Sequence, residues 1–525
     1  MWPFSRKRKP DPEQPTSGKR RYAGAKTSRL LFNAAPTSAD TELYTSHAAL
    51  RDRSRALCRD NPYAKRAKEL TVNNIIGPGM GLQAQVKNQR HRLLRPINDG
   101  IERAWLDWSR AEHCHTGGSL HFADFERAAM GEVFEAGEVF IRIHARAFGG
   151  GRVPIALELI ESERIADDHE ISATDGRNVT MGIEHDAFAR PTAYYIHKYH
   201  PNQLHGALRH QPDEILRVPA DQIIHLRSIE RWPQTRGVPW LHAAIERLHQ
   251  HGEYENAALV AARIGASKVG FFESPDGDLN GLGDEDEIEG AASTSVSAGE
   301  FTQLPPGYKF SGWDPSYPND VFEPFTRASL RGIAAATGPC YESISRDYSQ
   351  SNYSSSRLAL IDDRDLWQIK QRWWIRSFRE PLHRRHWLQA AVLADAIPEV
   401  PRYDYLTQPE KYSAVNLKPR GWSWVDPTKE VKAYKEAEQA GYTTKSAIIA
   451  ATAGGMDLGD VIDQRRAELD ALADAELRTD TTADADAGAL EPSPAPDADQ
   501  PPPDPPGASA PERPPSRITP IRGAL

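Results

Sequence analysis

One helical pattern runs from roughly residue 354 to 396, after the helix breaker Gly338-Pro339 and a polar stretch rich in Ser and Tyr over 341–356. It carries the apolar pairs Ile369/Trp373, Trp374/Phe378 and Phe378/Leu382 at i,i+4, which face one another along a helix. A very long helix with apolar stripes and tryptophans implies burial between subunits, because a monomer rarely exposes such patches. Closed cyclic symmetry is the economical way to cover them.

Shorter elements precede that helix. Leu43, Leu50 and Leu57 fall at seven-residue spacing and predict a helix ending near Arg59. Asn61-Pro62 then reads as an N-cap and first helical position, Ala64, Ala67 and Leu70 continue one face, and Gly77-Pro78-Gly79 stops the helix. Ile97, Ile101, Trp105 and Trp108 form a second amphipathic stripe, and Phe122, Phe125, Ala129 and Val133 a third. The pattern then turns to alternation. Strands are expected over 139–144, over 155–160 after the turn Gly149-Gly150-Gly151, and over 181–188, 193–199 and 223–226. Together 137–230 read as a largely antiparallel sheet. A helix from Pro239 to about Ile264 follows, then strands over 268–272 and 301–313 around an acidic, Gly-rich 276–290. Residues 321–336 are helical again, as are 429–440 and 445–477 on either side of Gly441. The fold class is α+β.

Both ends differ from this body. Residues 1–29 carry nine Lys/Arg and two acids, about +7, and residues 1–40 read as a flexible arm, either a solvated tail or one that touches DNA. Residues 480–525 hold twelve of the forty prolines, eight acids and three Arg, a charge of -5, with too few apolar side chains to offset the entropy of ordering. With a net charge of -9, the intervening core is about -11, an acidic balance that argues against tight nucleic-acid binding and not against enclosing DNA. The length of 525 residues suits two to four packed units. No apolar run is long enough to span a membrane, and the basic start is not followed by a signal-like apolar stretch. Cys58, Cys114 and Cys340 are too far apart to suggest a disulfide framework or metal site, and a reducing cytosolic site of synthesis fits them.

Several stretches invite catalytic interpretations, and each has a plainer one. Gly77-Pro78-Gly79-Met80-Gly81 follows a helix and lacks the Gly-Lys-Ser/Thr of a phosphate loop, so it reads as a helix stop. His113-Cys114-His115 and His383-Arg384-Arg385-His386 carry residue types that could ligate metal. His383 and His386 share a helical face but flank two arginines, which would repel a cation; a solvated or interface face is favoured. His249, His251 and Glu253 lack the order of a zinc hydrolase and read as helix surface. Asp362, Asp363 and Asp365 lie near the start of the long helix, where they favour its dipole rather than forming a two-metal nuclease site. No cofactor, metal or catalytic residue is expected.

The order of the chain resembles the lambda family of tailed-bacteriophage portal proteins over roughly residues 40–475. Asp60-Asn61-Pro62-Tyr63-Ala64 leads into Val72-Asn73-Asn74-Ile75-Ile76-Gly77; then come Arg217-Val218-Pro219-Ala220, Ile224-His225-Leu226, Ser345-Arg346-Asp347-Tyr348-Ser349 and Asn352-Tyr353-Ser354-Ser355-Ser356-Arg357. The resemblance implies a ring of about twelve subunits at one capsid vertex. It is then a non-enzymatic conduit for packaging and ejecting DNA and a platform for the tail. It implies a virion component assembled in the bacterial cytoplasm. The partners implied are other copies of the chain, double-stranded DNA held without sequence preference, the terminase large subunit, major capsid and scaffold proteins, and head–tail connector proteins, with no membrane. The implied regions are an arm (1–40), wing (41–238), stem helix (239–265), clip (266–319), second stem helix (320–337), tunnel loop (338–353), long helix with the rest of the wing (354–424), crown (425–478) and a Pro-rich disordered tail (479–525).

A channel that clamps phosphates works against transport, since six to ten phosphate contacts change affinity by roughly a thousandfold over a modest salt range. A lining residue is repeated in every subunit, so a sparse lining with a few mobile contacts favours sliding. The DNA-contact candidates are Ser345, Arg346, Asp347, Tyr348, Ser349, Gln350 and Asn352, with pairing of Arg346 to Asp347 or to a neighbouring subunit's acid as the plainer alternative.

Overall fold

The computed structural model describes residues 36–168, 178–203, 205, 214–266, 270–273, 309–312, 321–422, 427–452 and 458–474. The expectations for the arm over 1–35, for most of 266–319 and for 479–525 lie outside them.

The chain opens with two helices joined by one residue. Helix α1 (Ala39–Asp60) is capped by the Ser38 hydroxyl, which accepts from the Thr41 amide, with Asp40 and Glu42 in its first turn. Asn61 ends it and caps α2 (Pro62–Ile75), its Oδ1 accepting from the Tyr63 and Ala64 amides with Pro62 at the first helical position. Gly77, at φ 61°, then turns the chain into strand β1 (Gly81–Ala84). Helices α3 (Arg95–Trp108) and α4 (Ala111–Cys114) precede α5 (Phe122–Ala136), whose buried face includes Phe122, Phe125, Ala129 and Val133.

The segment 137–230 forms two antiparallel sheets rather than one. Strands β2 (Glu138–His144) and β3 (Ala156–Ile160) belong to a three-stranded sheet of order β3-β2-β8. Strands β4 (Asn178–Thr180), β5 (Ile183–His185), β6 (Pro191–His197) and β7 (Ile215–Pro219) make a four-stranded meander, and β8 (Ile223–Arg227) returns to the first sheet. The expected strand over 181–188 is interrupted because Met181 and Gly182 both take positive φ, 49° and 78°, closing a two-residue hairpin in which Thr180 pairs with Ile183. The sheets pack on each other through Phe140 and Ile160 against Ile183, Tyr194, Ile196 and Val218. Ile141, Ile143, Leu157 and Leu226, also on the three-stranded sheet, join the main core with Phe378, Leu382 and Trp387.

The helix expected from Pro239 begins later, because 240–244 are turns in which the Trp240 amide donates to Phe134 O. Helix α6 (Ile245–Ala266) leads to β9 (Gly270–Glu273), which pairs antiparallel with β10 (Lys309–Gly312). Helix α7 (Phe322–Thr337) ends on Gly338, at φ 104°. After α8 (Tyr341–Ser345), α9 (Tyr353–Trp374) continues through π-helical turns at Ile375–Arg379 and Leu382–Trp387 into α10 (Leu388–Leu393). Pro381 explains the wide turns: it has no N–H and would press on the carbonyl four residues back in an α-helix. Inward pairs at 378/379, 382/383, 387/388 and 391/392 follow every four or five residues, and all eight are buried. Ile369, expected to pair inward with Trp373, is exposed. Short helices α11 (Arg402–Thr407) and α12 (Pro409–Tyr412) precede β11 (Val415–Lys418), which pairs with β1 across the length of the chain.

A second compact unit starts at Thr428. It contains α13 (Pro427–Gln439), α14 (Lys445–Thr452) and α15 (Leu458–Asp474). Gly441, at φ 76°, ends the first of these: Tyr442 N donates to Ala437 O and Gly441 N to Glu438 O, a Schellman pair.

Candidate functional site

The segment between α7 and α9 is more structured than a flexible loop. Its base is fixed where the Cys340 amide donates to Asp363 Oδ2 at 3.2 Å, and Gly338 leaves room for Leu366 against the turn. Helix α8 buries Ile344, and its Ser343 carbonyl accepts from Arg66 Nε of α2. Asp347 then organises the turn. Its Oδ2 accepts from Tyr341 Oη at 2.7 Å and its Oδ1 from the Ser349 amide and hydroxyl at 3.0 and 2.6 Å, with Arg327 of α7 at 3.6 Å. The hydrogen bonds from Ser349 and Tyr341 hold its carboxyl down at about 2. Ser345 Oγ donates to Tyr341 O and accepts from the Asp347 amide.

Arg346 sits between these anchors at φ 60°, ψ 16°, where its amide donates to Glu342 O and its side chain is exposed. Its guanidinium makes no hydrogen bond or ion pair with the described residues, so the pairing with Asp347 is not formed within one chain. Tyr348, Ser349, Gln350 and Asn352 are also exposed. The segment is thus a clamped base carrying one bare cation and a polar tip, which suits sequence-blind contact with phosphates.

Two buried ion clusters hold the surrounding scaffold. Glu126 of α5 accepts from Arg379 Nε and Nη2 at 2.7 Å each and from Trp374 Nε1 at 3.0 Å, tying the π-helical part of the long helix to the core. Glu138 of β2 accepts from Arg236 Nε, Ser162 Oγ, the Gly237 amide and His225 Nε2 at 2.7–2.9 Å. Burial alone would raise its pKa, yet Arg236, His225 and His47 hold it well below the usual carboxylate range. Gly137 and Gly237 permit this approach, since a Cβ on Gly237 would lie 2.3 Å from Gly137 O. Sequence reasoning missed both clusters.

Several other expectations are corrected. His383 is fully buried, stacked on Trp387 at 5.6 Å, and not on a solvated face; burial pushes its imidazole down to about 3. His251 is buried against Tyr63 and 3.3 Å from Glu255, while His249 and Glu253 do face solvent. Asp362, Asp363 and Asp365 lie in the third turn of α9 or beyond, past the reach of its N-terminal dipole, and Asp363 serves the Cys340 amide instead. His113 Nδ1 lies 2.8 Å from Asp107 O and His115 Nδ1 accepts from the Ser119 amide. Among the described residues, Glu161, Glu163 and His200 converge with metal-like spacing, but Glu163 is already bonded to Arg55.

Comparison with known proteins places this architecture. Residues 26–371 match the model of the phage portal protein, lambda family. The chain is 32% identical over 402 residues to a probable portal protein of Halomonas phage phiHAP-1, covering 76% of each. It is 20% identical to portal protein B of Escherichia phage lambda, covering 79% of this chain and 82% of that one. A neck structure of an empty gene transfer agent particle, solved with C6 symmetry, covers 80% of this chain and 94% of its own at 16% identity and a TM-score of 0.40. The match over 26–371 and the identity shared with the Halomonas phage protein make the chain a member of the lambda family of phage portal proteins.

Proposed function

We propose that this chain is one subunit of a ring of about twelve copies at a capsid vertex, whose axial channel passes double-stranded DNA during packaging and ejection. Family membership supports the portal role. The observation that carries the channel assignment is the segment 338–353, which presents the unpaired Arg346 beside exposed Tyr348, Ser349 and Gln350 on a base held by Asp347 and Asp363. One exposed cation per subunit attracts a phosphate backbone. Multiplied around a ring, it gives several weak contacts that can exchange as DNA slides, against an otherwise acidic chain.

In this proposal 41–238 and 354–424 form the wing, 239–265 and 320–337 the stem, 266–319 the clip and 425–478 the crown. The ring itself performs no catalysis. The terminase motor, capsid and scaffold proteins and head–tail connectors dock on it from outside. Native mass measurement and electron microscopy of the purified full chain test the first step. Closed rings of about twelve copies are expected; a folded monomer at every concentration overturns the proposal.

A further inference from the structure

Helix α1 meets the body through polar groups along most of its length. Its buried stripe is Ala39, Leu43, His47, Arg51, Ser54 and Cys58, while Leu50 lies only half-buried. From Pro36 to Ala56, Leu43 is the one large apolar side chain that is buried, and it joins none of the described apolar clusters. Apolar contact resumes at Leu57 and Cys58, which pack with Phe134, Leu241 and Leu248.

The polar contacts differ along the helix. Near its C-terminal end Arg55 is firmly held: Nε donates to Glu163 Oε1 at 2.6 Å, Nη2 to Glu163 Oε2 at 2.8 Å and Nη1 to Glu132 Oε2 at 3.0 Å. The middle is looser. Arg51 lies 3.3 Å from Glu163 and 3.8 Å from Asp167, and His47 lies 3.4 Å from Glu138 and 3.6 Å from Asp167. Both His47 nitrogens, Arg51 Nη1 and Ser54 Oγ are buried, yet none makes a hydrogen bond to another described group. Loose pairs do not offset the cost of desolvating such groups. At the N-terminal end the contacts tighten again, close to the surface. The Asp40 carboxylate accepts from the Thr235 amide and hydroxyl at 2.7 and 2.8 Å, and Glu42 accepts from Arg231 at 3.1 Å.

We infer that residues 39–54 are a releasable strap, latched by Asp40 and Glu42 and pivoting on Arg55 and Cys58, which lifts from the folded body as one unit. Lifting strands few charges. Glu138 and Asp167 both keep Arg236, and Glu163 keeps Arg55. His47 and Arg51 regain their hydration. Segments with few buried apolar contacts open at lower free energy than the core, and a detached helix of this length is marginal in water. The strap joins the basic segment 1–35 to the body, so opening extends the reach of that segment. The inference concerns a single chain and does not depend on the ring.

Hydrogen exchange of the full chain at pH 7, resolved to single amides, tests this. In the unmodified chain the amides of 43–54 are expected to exchange together, about a hundredfold faster than the buried amides of α5, while those of 58–72 stay as slow as α5. Asp40→Ala removes two latch bonds and is expected to speed all of 43–54 by about tenfold. Losing a carboxylate from a helix N-terminus acts by itself only on the first turn, so acceleration that reaches 47–54 separates lifting from fraying. Arg231→Ala is exposed and lies outside α1, so it leaves helix propensity and folding untouched; it is expected to speed the same amides by a smaller factor. Exchange of 43–54 at the α5 rate in the unmodified chain overturns the inference. So does acceleration confined to 39–46 in Asp40→Ala, or an Arg231→Ala chain whose 43–54 amides are unchanged.

Discussion

His383 is held neutral between Trp387 and Trp105, with neither ring nitrogen hydrogen-bonded. Burial, and then the nearby charges of Arg379 and Arg384, lower its pKa from 6.5 to about 3, and burial does the same to His225 beside Arg227. Between those values the unfolded chain binds protons that the folded one refuses, so stability falls as pH falls from about 6.5 toward 3. Glu132 has the opposite sign. Burial raises it to about 7 despite Arg55, so its contribution is complete below 4.5 and is lost as pH rises through 7. The two histidines outweigh this one carboxyl, and net destabilisation on acidification is expected. His383→Leu removes one of the two. Its stability relative to the parent chain should improve by up to about 1.4 kcal/mol for each pH unit dropped within that window. Urea midpoints at pH 7, 6, 5 and 4 measure it; midpoints that run parallel for the two chains would show that His383 does not titrate this way.

The junction of α1 and α2 depends on Asn61, whose side chain satisfies two amides at the start of α2. Asn61→Ala should cost about 1 kcal/mol, read from denaturant midpoints, while Asn61→Asp should cost much less because it keeps the acceptor. A loss below a few tenths from the alanine would mean that water replaces the cap. This cap was legible in sequence, as were the stripes of α3 and α5, because caps and helical periodicity are local. The split into two sheets was not, since the hairpin turns on Met181-Gly182 rather than on an Asn-Gly signal. The π-turns were hidden because i,i+4 pairing such as Trp374/Phe378 fits α and π spacing alike. Glu126 and Glu138 read as surface carboxylates until folding brings Arg379 and Arg236 to them from 253 and 98 residues away. Within the candidate segment, the exposed polar residues were legible, but the Asp347 clasp was not: its partner Tyr341 reads as one more loop residue until α8 forms.

At the scale of the assembly, the structure narrows how the DNA contact is tested. Shortening the whole of 343–352 would remove buried Ile344 and the Asp347 clasp, and would disturb α7 and α9 as well as the tip. Trimming only 348–351 spares Ile344 and the Tyr341–Asp347 hydrogen bond, and removes from Asp347 only its Ser349 partners. Particles built with that trimmed chain are expected to form rings but to package or retain less DNA. Arg346→Glu should weaken retention more than Arg346→Lys, because a sequence-blind phosphate contact mainly needs positive charge. The change is repeated in every subunit, so a small effect per contact multiplies around the ring, and the deficit should shrink as salt screens the contacts. Arg346→Gly provides the backbone control: glycine accepts the φ of 60° without strain, so any loss it shows reflects the missing charge and not a distorted turn. Packaged DNA length in assembled particles is the measurement. If trimmed, glutamate and glycine particles all fill and hold full-length DNA at low and moderate salt, the phosphate contact lies elsewhere and this segment does not line the channel.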